Sequence, residues 1–109
     1  MANLKQWILE TAEGEAIEAV VIGEMGWGDY GHDAVKNYAQ MPKGKLLTWD
    51  EAEKWIDYEF DSDYGAPGCQ AIYAWTANKV IAISQYDGAT GCYSIPRNPV
   101  EVMPSMEGG

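Results

Sequence analysis

The chain has 109 residues, 47% of them hydrophobic, with 5 Trp and 7 Tyr, and its 17 acids against 7 bases give a formal net charge of −10. That length holds one domain with a single core, and so aromatic a composition excludes intrinsic disorder despite the charge. The acidic surface repels nucleic acid and anionic membranes at long range and favours basic protein partners.

The opening segment 2–12, ANLKQWILETA, fits a short amphipathic helix. Leu4, Trp7 and Ile8 share one face, Asn3 is the N-cap and Gly14 the stop. Residues 4–9 are too short and too mixed for the apolar core of a signal peptide. Nowhere does an apolar run approach the ~18 residues of a membrane span. The expectation is a soluble, cytoplasmic protein in which Cys69 and Cys92 are reduced, dispensable thiols.

Residues 16–24, AIEAVVIGE, read as a strand, and the β-branched Val20-Val21-Ile22 suggests burial on both faces. A glycine-punctuated loop, MGWGDYG, follows at 25–31 and holds Trp27 and Tyr30. Its glycines lack the spacing of a dinucleotide fingerprint, and no lysine with serine or threonine completes a phosphate loop. Segment 33–41 reads as one or two helical turns or an ordered loop, closed by the turn Met41-Pro42-Lys43-Gly44.

Thr48-Trp49-Asp50-Glu51 is a capping box that starts a helix. Trp49, Ala52, Trp55 and Ile56 form its apolar face, so the two tryptophans are read as structural. Next comes DYEFDSDYG, with carboxylates at Asp57, Glu59, Asp61 and Asp63 and the aromatics Tyr58, Phe60 and Tyr64 between them. If extended, this run sets its acids on one face and its aromatics on the other; if it finishes the helix, the acids spread out.

Past Ala66-Pro67-Gly68, the runs 70–76, 79–86 and 91–95 are divided by two turn signals, the second being Asp87-Gly88. They predict a two-hairpin meander, with Tyr73 and Trp75 on one face. The fold expected is therefore α+β: a single domain over 1–109, with an antiparallel sheet of about four strands, two or three short helices packed on one face, and a flexible tail from about residue 100.

No metal or cofactor site is expected. An EF-hand loop needs glycine at position 6 and glutamate at position 12. Counted from Asp57 those places hold Ser62 and Gly68, and from Asp61 they hold Ala66 and Ile72. His32, Cys69 and Cys92 give at most three zinc ligands, with no CxxC pair. No catalytic residue is assigned. Arg97, the lone arginine, sits between Pro96 and Pro99 and is read as a staple from the last strand to Asp57, Asp61 or Asp87.

The expected activity is binding, through Asp57, Glu59, Asp61 and Asp63 as an acidic surface, with Tyr58, Tyr64, Trp27 and Tyr30 as aromatic anchors. The alternative is sequestration of a small molecule by the glycine loop with Trp27 and Tyr30.

The stretches IEAVVIGEMGWGDYG, LLTWDEAEKWIDYEFDSDYGAPGC and YAWTANKVIAISQYDGATGCYSIPRNP resemble a group of small proteins encoded by phages and prophages of bacteria. The likeness runs from about Ile17 to Pro99. It implies a phage accessory context in a bacterial cytosol, and it brings no activity or ligand with it. By composition, such acidic proteins resemble inhibitors of host defence, of the anti-CRISPR and anti-restriction kind. The partner so implied is a basic host protein such as a nuclease, whose DNA groove an acidic surface can occupy.

Overall fold

The computed structural model describes residues 2–25, 38–62, 68–86 and 88–106, with Tyr86 described by its backbone alone. The glycine loop with Trp27 and Tyr30, His32, Asp63, Tyr64 and Asp87 lie outside the described residues.

The chain opens with β1 (Ala2–Asn3) and α1 (Leu4–Ala12). The Asn3 side chain accepts from the Gln6 amide at 3.0 Å, the N-cap expected from the sequence. The helix ends at Glu13, left-handed at φ 53, whose amide returns to the Glu10 carbonyl, and Gly14 follows at φ 87. Leu4, Ile8 and Ala12 form its buried face.

Strand β2 (Ala19–Met25) comes next, then a 3₁₀ turn at Tyr38–Gln40, β3 (Leu46–Leu47), α2 (Trp49–Ile56) and β4 (Glu59–Phe60). Both bonds of the capping box at α2 are present. The Glu51 amide donates to Thr48 Oγ1 at 3.2 Å, and the Thr48 amide donates to Glu51 Oε1 at 2.9 Å. The meander closes the fold as β5 (Gln70–Trp75), β6 (Lys79–Tyr86) and β7 (Ala89–Pro96).

These strands form a five-stranded antiparallel sheet in the order β3-β2-β5-β6-β7, while β1 and β4 pair separately. The α+β architecture is as expected, with five strands in the main sheet where about four were anticipated. The additional strand is β3, two residues long, from Leu46-Leu47 before the helix cap.

Both helices pack on the same face. α1 crosses β6 and β7, and α2 lies against β2 and β3. Val20, Ile22, Ile72, Ala74 and Ile81 meet Leu4, Ile8, Ala52, Ile56 and Phe60 in one apolar cluster.

One-sided cover corrects the reading of β2. Val20 and Ile22 are buried, whereas Val21 points to the other face and is half-buried. The helix face of α2 is corrected too. Ala52 and Ile56 are fully buried, while Trp49 and Trp55 sit half-buried at the cluster's margin, with Lys54 Nζ 5.3 Å from the Trp55 ring.

Stability should follow this placement. In chemical denaturation, Ile56→Ala should cost about 3 kcal/mol, as a change from large to small in the core. Trp55→Ala should cost only about 2 kcal/mol, because part of its ring already meets solvent. Thr48→Ala should cost about 1 kcal/mol through loss of the cap.

Candidate functional site

The acidic run is extended as far as it is described. From Asp57 to Asp61, exposure alternates strictly: Asp57, Glu59 and Asp61 are exposed, Tyr58 is half-buried and Phe60 is buried. Pairing with β1 enforces this alternation, with Glu59 opposite Asn3 and Phe60 opposite Ala2. The run thus belongs to the helical layer. Asp57 is tied down there: Asn3 Nδ2 donates to its Oδ1 at 3.1 Å, and Lys5 Nζ lies 3.9 Å from its Oδ2. Lys5 itself is 2.7 Å from Glu53.

The anchor assigned to this run is engaged internally. The Tyr58 hydroxyl donates to Gln70 Oε1 and accepts from the Gln70 amide at 3.3 Å. Gln70 is fully buried, and its Nε2 faces Met41 Sδ. Burial, then the neighbouring Cys69 thiol, raises the Tyr58 pKa well above its ordinary value. Tyr58 is therefore a staple between the acidic run and β5. Of the other proposed anchors, Tyr64, Trp27 and Tyr30 lie outside the described residues, as does the fourth carboxylate, Asp63.

Arg97 is a staple as expected, with different partners. Its Nη1 donates to Glu18 Oε1 at 2.6 Å and to the Thr76 carbonyl at 2.8 Å. The register explains this. The end of β7 lies beside the β5–β6 turn, where the Arg97 amide bonds the Asn78 carbonyl at 3.0 Å, and Glu18 immediately precedes β2. That turn is built on buried Thr76, whose hydroxyl donates to Glu15 Oε1 at 2.6 Å and accepts from the Lys79 amide at 3.0 Å. Lys79 Nζ adds Glu13 at 2.9 Å.

The uncovered face of the sheet carries the other feature. Register aligns Tyr73, Ala82 and Tyr93 across β5, β6 and β7, with Trp75, Val80 and Ile95 as the next row. The six side chains line a hollow of about 350 Å³. Val80 and Ala82 make its floor, Tyr73 and Trp75 one wall, Tyr93 and Ile95 the other. Tyr73 stays 58% exposed and Ile95 53%, whereas Ala82 is buried at the bottom.

The Tyr73 and Trp75 rings meet edge to face at 6.2 Å, which stiffens that wall. On its far side lies a second hollow of about 130 Å³, over Gly23 and Ala71. A Cβ at Gly23 would stand 3.1 Å from the Ala71 carbonyl, so glycine keeps that hollow open. No charged side chain stands on this face of β5, β6 and β7.

Sequence reasoning placed Tyr73 and Trp75 together but left them, with Tyr93, outside the chosen site. The available signal was the meander's alternate positions Tyr73, Trp75, Val80, Ala82, Tyr93 and Ile95, one strand face with no charged side chain to give to water. No family model, curated protein or solved structure matches this chain. Among the described residues, no group of three His, Cys, Asp or Glu stands together as for a metal ion, and no helix is long and apolar enough to cross a membrane.

Both thiols are free. Cys69 is buried, and burial pushes its pKa up to about 12. Burial likewise raises Cys92, against the opposing hydrogen bond from Thr11 Oγ1 at 3.3 Å. In the native protein at pH 8, iodoacetamide should leave both thiols unmodified, and denaturant should expose both; mass spectrometry reads the difference.

A pH effect follows at Glu15. The Thr76 hydroxyl, then Asn78, holds its carboxyl below the usual 4.5, against burial, which acts to raise it. A depressed carboxyl stabilises the fold above its unfolded pKa and loses that contribution as pH falls through the folded one. Glu15→Gln should therefore lower the melting temperature at pH 6 and converge on the wild type as the pH falls below 4.5 and through the folded pKa.

Proposed function

We propose that this chain is a binding protein rather than an enzyme, and that it docks a basic partner protein through the open face of its sheet. The observation that carries the reading is the hollow between Tyr73, Trp75, Tyr93 and Ile95: apolar, aromatic, exposed and without charge, on a chain whose net charge is −10. Water contact at such a face costs free energy that a partner would recover. Tyrosine and tryptophan are also the side chains that dominate interface energetics when buried by a partner.

Charge and contact then divide the work. The three described bases nearest the acids, Lys5, Lys79 and Arg97, are each within ion-pair distance of a carboxylate, so the excess is acidic. That excess, including exposed Glu59 and Asp61, draws a basic partner in by long-range attraction. The aromatic face holds it once the two surfaces meet. A surface of this charge suits the basic host protein implied by the phage-like resemblance.

The test uses the immobilised chain to isolate a partner, which is then purified and measured as a binary complex by surface plasmon resonance. Tyr93→Ala should raise the dissociation rate about tenfold or more with little change in association. The pair Glu59→Gln and Asp61→Asn should slow association and flatten its salt dependence. Unchanged kinetics in the Tyr93 variant, with circular dichroism confirming the fold, would remove the open face from the binding surface.

A further inference from the structure

We infer that the hollow over β6 is a receptor for an extended, proline-bearing segment of the partner, flanked by a basic residue. This rests on the docking face proposed above and specifies what enters it.

Shape restricts the occupant. The two walls rise from β5 and β7, two strand spacings or about 9.5 Å apart. Van der Waals contact takes about 3.5–4 Å between carbon centres on each side. The remaining slot admits a single extended chain or a row of side chains. An α-helix, about 10–12 Å across with its side chains, does not enter.

Hydrogen bonding restricts it further. β6 is paired on both sides at Val80–Ala82, so the floor offers no backbone group to a ligand. An added β-strand, which binds through its backbone, has nothing to pair with here. The polar atoms available are the Tyr73 and Tyr93 hydroxyls and the Trp75 indole N–H, which make no hydrogen bond among the described residues.

These groups belong to side chains that line an apolar trough, and all can donate. The complementary ligand has exposed carbonyls, apolar flesh and few amide protons. A polyproline II segment has this character: it has no internal hydrogen bonds, and its prolines carry no N–H. Aromatic-lined troughs are the usual receptors for such segments, because the ligand is already ordered before it binds.

Charge supplies the flanking residue. No cation lines the trough, the chain is strongly acidic, and aromatic rings stand on both walls. An arginine beside the prolines is drawn by the net field and stacks on Tyr or Trp. The chain's own tail, residues 96–106, is a rival of related composition, with Pro96, Pro99 and Pro104 and exposed Val100, Val102 and Met103. Val100 and Val102 border a neighbouring hollow with Asn78, Lys79, Ser94 and Ile95, on the outer side of the trough's Ile95 wall, and line no part of the trough itself. The tail's Arg97 is held on Glu18, and Glu101 adds an acid, so it lacks the free base.

The experiment titrates the full isotope-labelled chain with four synthetic peptides, followed by two-dimensional NMR. One consists of leucines and prolines with arginine at each end. In the second, every proline is alanine. In the third, each arginine is glutamate. The fourth copies residues 96–106.

Saturable shifts at Tyr73, Trp75, Ala82 and Tyr93 are expected with the first peptide. The alanine and glutamate versions should bind about tenfold more weakly, and added salt should shrink the glutamate difference. Ala82→Leu fills the floor and should abolish binding while leaving the spectrum folded. Tyr93→Phe, which loses only the hydroxyl, should weaken binding about fivefold.

The inference fails if no peptide shifts the trough at millimolar concentration, if the alanine peptide binds as well, or if the tail peptide binds more tightly than the first. If it fails while Tyr93→Ala still accelerates dissociation of the captured partner, the docking face stands and only its occupant is wrong. If both fail, the docking face falls as well.

Discussion

The structure depends on a mismatch of areas. Five strands spaced about 4.8 Å apart make a sheet about 20 Å wide. Two helices of about 10 Å diameter cover that width once. The chain has helices of nine and eight residues and no more among its described residues. One sheet face is therefore dry and packed, and the opposite face meets water. Had the open positions been lysine, threonine and glutamate, this would be an ordinary solvated sheet. Here they are Tyr73, Trp75, Val80, Tyr93 and Ile95, and the exposed face is as apolar as many interface cores.

The packed side has a constraint of its own at Gln70. Burying its amide is tolerable only because Tyr58 and Met41 take up its polar atoms, and no buried side-chain polar atom among the described residues is left without a partner. This node joins β5 to the segment after α2, so the acidic run is held by a tyrosine turned inward. Burial of Phe60 against Trp7, edge to face at 5.1 Å, fixes the same segment from its other side. The carboxylates then point outward because strand alternation leaves them no other direction. Their exposure is a consequence of packing beneath them, and the aromatics between them are not spare.

A similar economy governs the end of the sheet at the β5–β6 turn. Thr76, Glu15, Lys79, Arg97 and Glu18 interlock there, joining β2, β5 and β7 and the segment after α1. Exposed ion pairs contribute little singly. This group gains from its backbone bonds, since Arg97 also reaches the Thr76 carbonyl and Lys79 the Thr11 carbonyl. The charged side chains collect at the strand ends and on the helical side, which leaves the open face of the meander without charge.

The sequence by itself determined whatever depends on near neighbours. Asn3 and Thr48 as caps, Gly14 as a stop and the three strands of the meander all follow from spacing and side-chain type within a few residues, whereas the extended course of Asp57 to Asp61 needed the pairing with β1. It also set an acidic, aromatic composition. The tertiary structure alone decided which face of each strand is covered, because β5, β6 and β7 carry apolar and polar side chains on both faces and a period of two cannot distinguish two mixed sides. It also decided that Tyr58 turns inward, that Trp55 stays at the margin, and that Arg97 meets Glu18, a residue 79 positions away. Those choices depend on where two helices land on a sheet, a long-range packing outcome that no local window of residues contains.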